Sequence, residues 1–506
     1  MKKTKLFIVV IIAAVLFQLT SCDSNQSESA SSNSENLIHV TLLYFNDVYE
    51  ITPVSGGKEG GLARVATIRK ALLKKNPNTI TLLGGDFFNP SAMGTAKVNG
   101  DALAGKQMVD VLNTLGLEYA TFGNHEFDIK ENQFNERMRE AKFTWVSSNV
   151  FDAKGYAYLG VKKDLILPFT DKASGKTFKI GIFGVTLTVN KPSYVSYTDP
   201  VQTADAEVKS LRNKSDFLIA LTHQNLDDDV KLLQKQASID LLLGGHEHDN
   251  YQQWRGKSFA PLLKADSNVR SVYVVELYFD PKTKKTRIKP NLVHVNDLIA
   301  EDPQVNQVVT KWKTLVFDAF RKQGLNPEEV ITKTSEALDG LESSVRFRQT
   351  NLSKLIALSM LRPYPEADIS LYNSGTIRID DVLPAGQITG YDIIRVMPFG
   401  GSVELVEMKG MLLQKVLAQG DANIGSGAYL QSANTTKSSN GVWLVKGAAI
   451  DPNKIYKVAI LDFLMSGRER NFAYLNASNP SIKVLNDGIG NDIRQLMIKQ
   501  LRGNVK

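Results

Sequence analysis

The sequence predicts an α/β fold in two parts, and three observations predict it. Between Leu37 and about Asn296, short runs rich in β-branched and aromatic residues alternate with helical patterns, as in a layered α/β domain. Several of the strand-like runs end in glycine or a polar residue, which places those residues along one edge of the sheets. A helical stretch, Asp302 to Gln323, then separates this part from a second unit running from about Glu328 to the C-terminus. At 506 residues the chain is long enough for two or three domains.

The N-terminus reads as an export signal over residues 1–21. Lys2, Lys3 and Lys5 precede an unbroken apolar stretch from Leu6 to Phe17, too short to span a bilayer comfortably. Leu19-Thr20-Ser21-Cys22 resembles a bacterial lipoprotein processing site, which implies a lipid anchor at Cys22 and a place in the bacterial cell envelope. Cys22 is the only cysteine, so the mature fold has no disulfide. Residues 22–36, rich in Ser, Asn, Glu and Gln, cannot bury enough apolar surface to order themselves and read as a tether. The formal charge is +7, of which three units belong to the leader. No basic run with interleaved aromatics appears, so nucleic-acid binding is not expected.

In the body, strands are expected at Val40-Phe45, Thr79-Leu83, Tyr119-Phe122, Phe143-Ser147, Phe178-Val185, Phe217-Leu221 and Ile239-Leu243. Helices are expected at Leu62-Lys75 and Gly105-Leu115. Val272-Phe279 and Thr286-Val295 read as a hairpin. In the second unit Asp368-Tyr372, Ser402-Met408 and Tyr456-Asp462 read as strands, Leu352-Leu361 as a helix, and Asn434-Asn440 as a polar loop. The expected boundaries are 37–300 for the first domain, 301–327 for the linker helix and 328–506 for the second domain.

Five polar motifs follow apolar runs of the first part: Asn46-Asp47, Gly84-Gly85-Asp86, Gly123-Asn124-His125-Glu126, Thr222-His223 and Gly244-Gly245-His246-Glu247-His248. Four of the six histidines lie in them. Carboxylates, imidazoles and an amide oxygen are the donor set for two closely spaced metal ions, with one carboxylate able to bridge. Each motif alone is common in turns; their joint occurrence in this order is what points to a metal-dependent hydrolase. Asp86 is the candidate bridge, and Gly84-Gly85 lets the backbone turn tightly before it.

These motifs resemble those of the calcineurin-like metallophosphoesterases, and within them the bacterial 5′-nucleotidase and UDP-sugar hydrolase family. The resemblance runs from about Leu37 to the C-terminus. It implies a four-layer α/β/β/α N-terminal domain, a linker helix and an α+β nucleotide-binding C-terminal domain. It further implies two divalent ions, Zn or Mn, one held by Asp47, Asp86 and His248 and the other by Asp86, Asn124, His223 and His246. His125 is then the group beside the phosphate and Asp128 its partner. One departure stands out. The family's Asp-x-His reads Asp47-Val48-Tyr49, and a neutral phenol is a poor ligand.

In the second part, Val345-Arg346-Phe347-Arg348-Gln349-Thr350-Asn351, Asn373-Ser374-Gly375-Thr376-Ile377-Arg378, Met397-Pro398-Phe399-Gly400-Gly401 and Asp462-Phe463-Leu464 resemble the family's substrate-binding segments. The resemblance implies Arg346, Asn373 and Arg378 toward the substrate, Phe399 and Phe463 stacking on a base, and Glu469 where the family has a ribose-binding aspartate. The expected function is hydrolysis of a phosphate monoester of a nucleotide by a metal-activated water. Other readings are a 2′,3′-cyclic phosphodiesterase with 3′-nucleotidase activity, a UDP-sugar diphosphatase, or a nucleotide-binding surface lipoprotein weakened in catalysis by Tyr49.

Overall fold

The computed structural model describes residues 37–503. The expected signal, the tether and Cys22 lie outside them. Among the described residues no helix is long and apolar enough to cross a membrane.

The first part is built on two six-stranded sheets. One has the strand order Lys285–His294, Ser271–Asp280, Ile38–Phe45, Thr79–Leu83, Tyr119–Ala120, Thr144–Trp145. The other runs Tyr251–Arg255, Ala260–Lys264, Leu241–Gly245, Phe217–His223, Thr177–Thr186, Asp164–Thr170. Alternation along each strand decides how they stack, because successive side chains leave a strand on opposite faces. Val40, Leu42 and Tyr44 join Phe178, Ile180, Ile182, Ile219 and Leu243 in one buried cluster between the sheets. Leu43 and Phe45 pack instead with residues of the helices Leu62–Lys75 and Lys106–Leu115. On the far side Phe183, Val185, Leu218 and Leu242 pack with the helices Pro200–Leu211 and Leu226–Lys235. The result is the four-layer α/β/β/α arrangement.

The helix Pro303–Lys322 follows. Asp302 caps it by accepting the Val305 N–H at 3.1 Å, and Pro303 fills its first position, where no N–H is needed. Val305, Val309, Trp312, Val316 and Phe320 form its buried stripe. The second part centres on a five-stranded sheet, ordered Leu430–Ala433, Ile369–Asn373, Ile455–Leu461, Val403–Lys409, Ile482–Asn486. One face packs on the helix Gly410–Ala422. The other face joins the helices Asn351–Met360 and Ile493–Gly503 in a core that continues through the linker helix into the first part.

Three expectations need correction. The run Phe143-Ser147 is a strand only over Thr144–Trp145. The polar stretch Asn434-Asn440 contains the strand Thr435–Lys437, paired with Trp443–Val445 in a small separate sheet. The run Tyr119-Phe122 is a strand only over Tyr119–Ala120. Beyond Ala120 the backbone leaves the ladder, and Phe122 turns into an aromatic cluster with Phe127, Phe134 and Trp145.

Candidate metal centre

Every candidate ligand lies at or just past the C-terminal end of a strand. Ile38–Phe45, Thr79–Leu83 and Tyr119–Ala120 are parallel neighbours in one sheet, and Phe217–His223 and Leu241–Gly245 in the other. The two sheets therefore deliver their loops to one place. Asp47 and Asp86 both have left-handed φ, +53° and +56°. Their loops hold each other: the Asp47 N–H donates to Gly85 O at 3.0 Å and the Val48 N–H to Asp86 O at 2.9 Å. Gly85 has φ +84°, and a Cβ there would lie 2.5 Å from Gly123 N and 2.8 Å from His223 Nδ1. Only glycine fits that approach.

Asp86, His223 and His246 bring donor atoms within 4.8 Å of one another. His223 donates Nδ1–H to Gly84 O at 2.7 Å, which leaves Nε2 facing Asp86 Oδ2 at 3.1 Å and Asp47 Oδ1 at 4.0 Å. His223 Nε2 and Asn124 Oδ1 are buried without a hydrogen-bond partner. Buried polar atoms are nearly always paired, so these two atoms, one of them set against the Asp86 carboxylate, are the kind of donors a cation site offers. Burial by itself lowers the His223 pKa, but Asp86 and Asp47 outweigh it and lift it to about 9 in the metal-free chain. Burial, then the His223 charge, presses His246 down to about 3 and keeps it neutral.

On the other side, His248 Nε2 lies 3.6 Å from Asp47 Oδ1. The Tyr49 hydroxyl reaches into the same space, 2.9 Å from His248 Nε2, 3.3 Å from Asp86 Oδ2 and 3.4 Å from Asp47 Oδ1. Burial, then Asp86 and Asp47, pushes its pKa well above the ordinary phenol range, so it is neutral here. The residues present thus fit a cation at the cluster of Asp86, His223 and His246, and less well beside Asp47 and His248, where the Tyr49 hydroxyl enters.

His125 Nδ1 bonds Asp128 Oδ2 at 2.5 Å, and Asp128 also accepts from Asn190 and, at 3.3 Å, from Asn89. Burial lowers the His125 pKa, but Asp86 and Asp128 together raise it above its ordinary value. Arg378 lies close enough for its charge to act on both His125 and Asp128, and its Nε is buried without a partner. A cavity of about 620 Å³ runs from Asn89 and Asp128 to Pro398 and Phe399. Phe399 and Phe463 are 57% and 38% exposed, and the segments bearing them are joined where the Ser402 N–H donates to Asp462 Oδ2 at 2.9 Å. Asn373 donates to Glu469 Oε2 at 2.6 Å, which unites those two candidates. Arg346 pairs its guanidinium with Glu342 one helical turn earlier, and the charge of Glu342 acts on Tyr49 and His248.

Several residues shape the site in roles the sequence does not reveal, Glu126 and Glu247 inside the motifs and Lys264 and Asp380 outside them. Buried Glu126 accepts N–H bonds from Gly123 (2.6 Å), Phe87 (2.7 Å), Asp86 (2.9 Å) and Phe88 (3.2 Å), tying the Asp86 and Asn124 loops together. Glu247 accepts from the Leu226 N–H and from buried Lys264, which also donates to Gly245 O at 2.8 Å and Gln224 O at 2.7 Å. The two glutamates of the histidine motifs are therefore braces. Asp380, from the second part of the chain, meets His248 Nδ1.

Residues 39–250 match the family described as calcineurin-like phosphoesterase, and residues 330–476 the one described as 5′-nucleotidase, C-terminal domain. Protein UshA of Yersinia enterocolitica is 25% identical over 488 residues, covering 84% of each chain. The 5′-nucleotidase of Bos taurus is 26% identical over 502 residues, covering 85% of this chain and 83% of the other. The crystal structure of the 5′-nucleotidase precursor from Thermus thermophilus superposes with a TM-score of 0.70 at 21% identity, covering 92% and 96%, and so shares the fold. With both halves matched and the motif residues gathered where the strand ends of the two sheets meet, the chain belongs to the calcineurin-like phosphoesterases that carry a 5′-nucleotidase C-terminal domain, a family of hydrolases that use divalent metals.

Proposed function

We propose that the chain hydrolyses phosphate monoesters of nucleotides, as a 5′-nucleotidase does, with two divalent cations, Zn²⁺ or Mn²⁺. The observation that carries this reading is the meeting of Asp86, His223 and His246, with His125 joined to Asp86 through its N–H and to Asp128 through its ring, and a cavity that runs from Asp128 to Phe399. Asp86, Asn124, His223 and His246 would hold one cation, and Asp47, Asp86 and His248 the other. Bound there, the cations supply Lewis acidity to the phosphoryl oxygens and acidify a water for in-line attack.

The chain's own groups do the rest. His125, held by Asp128, presents positive charge to the phosphoryl group and the leaving oxygen. Arg378 offers a planar fork of donors to the phosphate. Phe399 and Phe463 hold the base by contact area and stacking, and Glu469, steadied by Asn373, faces the sugar. No side-chain nucleophile is required. An extracytoplasmic, membrane-tethered setting through Cys22 belongs to the proposal, and its support is the leader sequence.

The test is phosphate release from AMP, 2′,3′-cyclic AMP and a UDP-sugar by purified protein with added Mn²⁺. AMP is expected to be the best of the three, and Asp86→Ala or His223→Ala to abolish turnover. Full turnover of metal-stripped variants would end the proposal. A second reading, a nucleotide binder with weakened catalysis, is favoured by one observation, the Tyr49 hydroxyl among the three donors Asp47, Asp86 and His248, the first set, which would hold the first cation. Nucleotide binding with at most one bound ion and no turnover would select it.

A further inference from the structure

We propose that Asp380, carried by the C-terminal part of the chain, is the positioning residue for His248, so that docking of that part sets the affinity of the first cation. This rests on the two-cation reading above. Asp380 Oδ2 engages His248 Nδ1, while Nε2 of the same ring faces Asp47 Oδ1 at 3.6 Å. A carboxylate on one nitrogen of an imidazole fixes the proton there, turns the ring, and leaves the other nitrogen as the electron-pair donor.

Asp380 is itself held in place. Its Oδ1 accepts the Glu342 N–H at 2.7 Å, and its backbone sits at φ +39°. Its neighbour Asp381 lies 3.6 Å from Arg270 and 3.5 Å from Arg395. Arg395 in turn lies 3.9 Å from buried Glu50, the residue after Tyr49, and the Tyr391 hydroxyl donates to Glu50 Oε2 at 2.7 Å. Contacts from the segment 380–395 therefore reach both flanks of the first donor set, Tyr49-Glu50 on one side and His248 with Arg270 on the other.

The two sets differ in this respect. His223 is turned by Gly84 O, a group of its own domain. His248 is turned by a residue 132 positions away in the other half. The first cation alone should therefore feel how the halves are docked, and by reciprocity its binding should favour the docked arrangement.

The experiment is calorimetric titration of the metal-stripped full chain with Mn²⁺, in wild type, Asp380→Ala and Asp380→Asn. One of two uptake steps should weaken in the alanine variant by about 10–100-fold, the usual cost of removing such a partner. The other step should keep its wild-type affinity. The asparagine variant, which retains an acceptor oxygen, should fall between, and it carries the test if the alanine variant does not fold. Unchanged uptake in the variants, or equal weakening of both steps, overturns the proposal. A wild-type chain with fewer than two uptake steps removes the two-cation reading itself, and this proposal with it.

Discussion

By the resemblance of its first motif Tyr49 takes the place of a histidine, and its hydroxyl has one proton to share among His248 Nε2, Asp86 Oδ2 and Asp47 Oδ1. Burial and two carboxylates hold that proton on the oxygen, so the first set has a neutral, weak donor in place of an imidazole. Replacing Tyr49 by His should therefore tighten the first cation by about tenfold or more, ~1.4 kcal/mol, and raise turnover on AMP at limiting Mn²⁺. Metal titration and a phosphate-release assay check this, and lowered turnover would show that the phenol serves the site. Asp47, Asp86, Asn124, His125, His223 and the 246/248 pair were legible because each motif is local and follows an apolar run. Glu126 sits inside such a motif, yet its role as a clamp on four backbone N–H groups depends on how two loops meet. Asp380 is joined to His248 only by the meeting of the two halves, and no short-range pattern records that.

Among the elements, the strand Thr79–Leu83 and the helix Leu62–Lys75 match their expected bounds, because both carry a clean period and end at turn residues. The edge strand Asp164–Thr170 did not read as one, since its alternation is shallow and Pro168 interrupts it. Thr435–Lys437 carries no apolar alternation at all. The strand Val403–Lys409 bears a titrating group that can be tested. Burial, then the nearby charges of Asp462 and Asp487, raises Glu404 from an ordinary 4.5 to about 7. A carboxyl whose folded pKa exceeds its unfolded one binds more protons folded, so its contribution to stability is complete below about pH 4.5 and is lost as pH rises to 7. Glu404→Gln should accordingly raise the thermal midpoint at pH 8 relative to wild type and leave the difference small at pH 5. Scanning calorimetry at the two pH values reads it out; equal shifts at both would contradict the assignment.

At the scale of the whole molecule, one buried core passes from the first part through the linker helix into the second. That continuity sets Asp380 against His248 and Arg378 near His125, and it places the cavity between Asp128 and Phe399. The sequence divided the chain into two parts and assigned each a set of motifs, but their mutual approach is a property of packing over hundreds of residues. Crystals of the metal-stripped protein soaked in Mn²⁺, with data collected at an energy where manganese scatters anomalously, test the central claim most directly. The account predicts an anomalous peak bounded by Asp86, Asn124, His223 and His246, and a second beside Asp47 and His248. Well-ordered side chains at those positions with no peak among them, while manganese binds elsewhere, would contradict it.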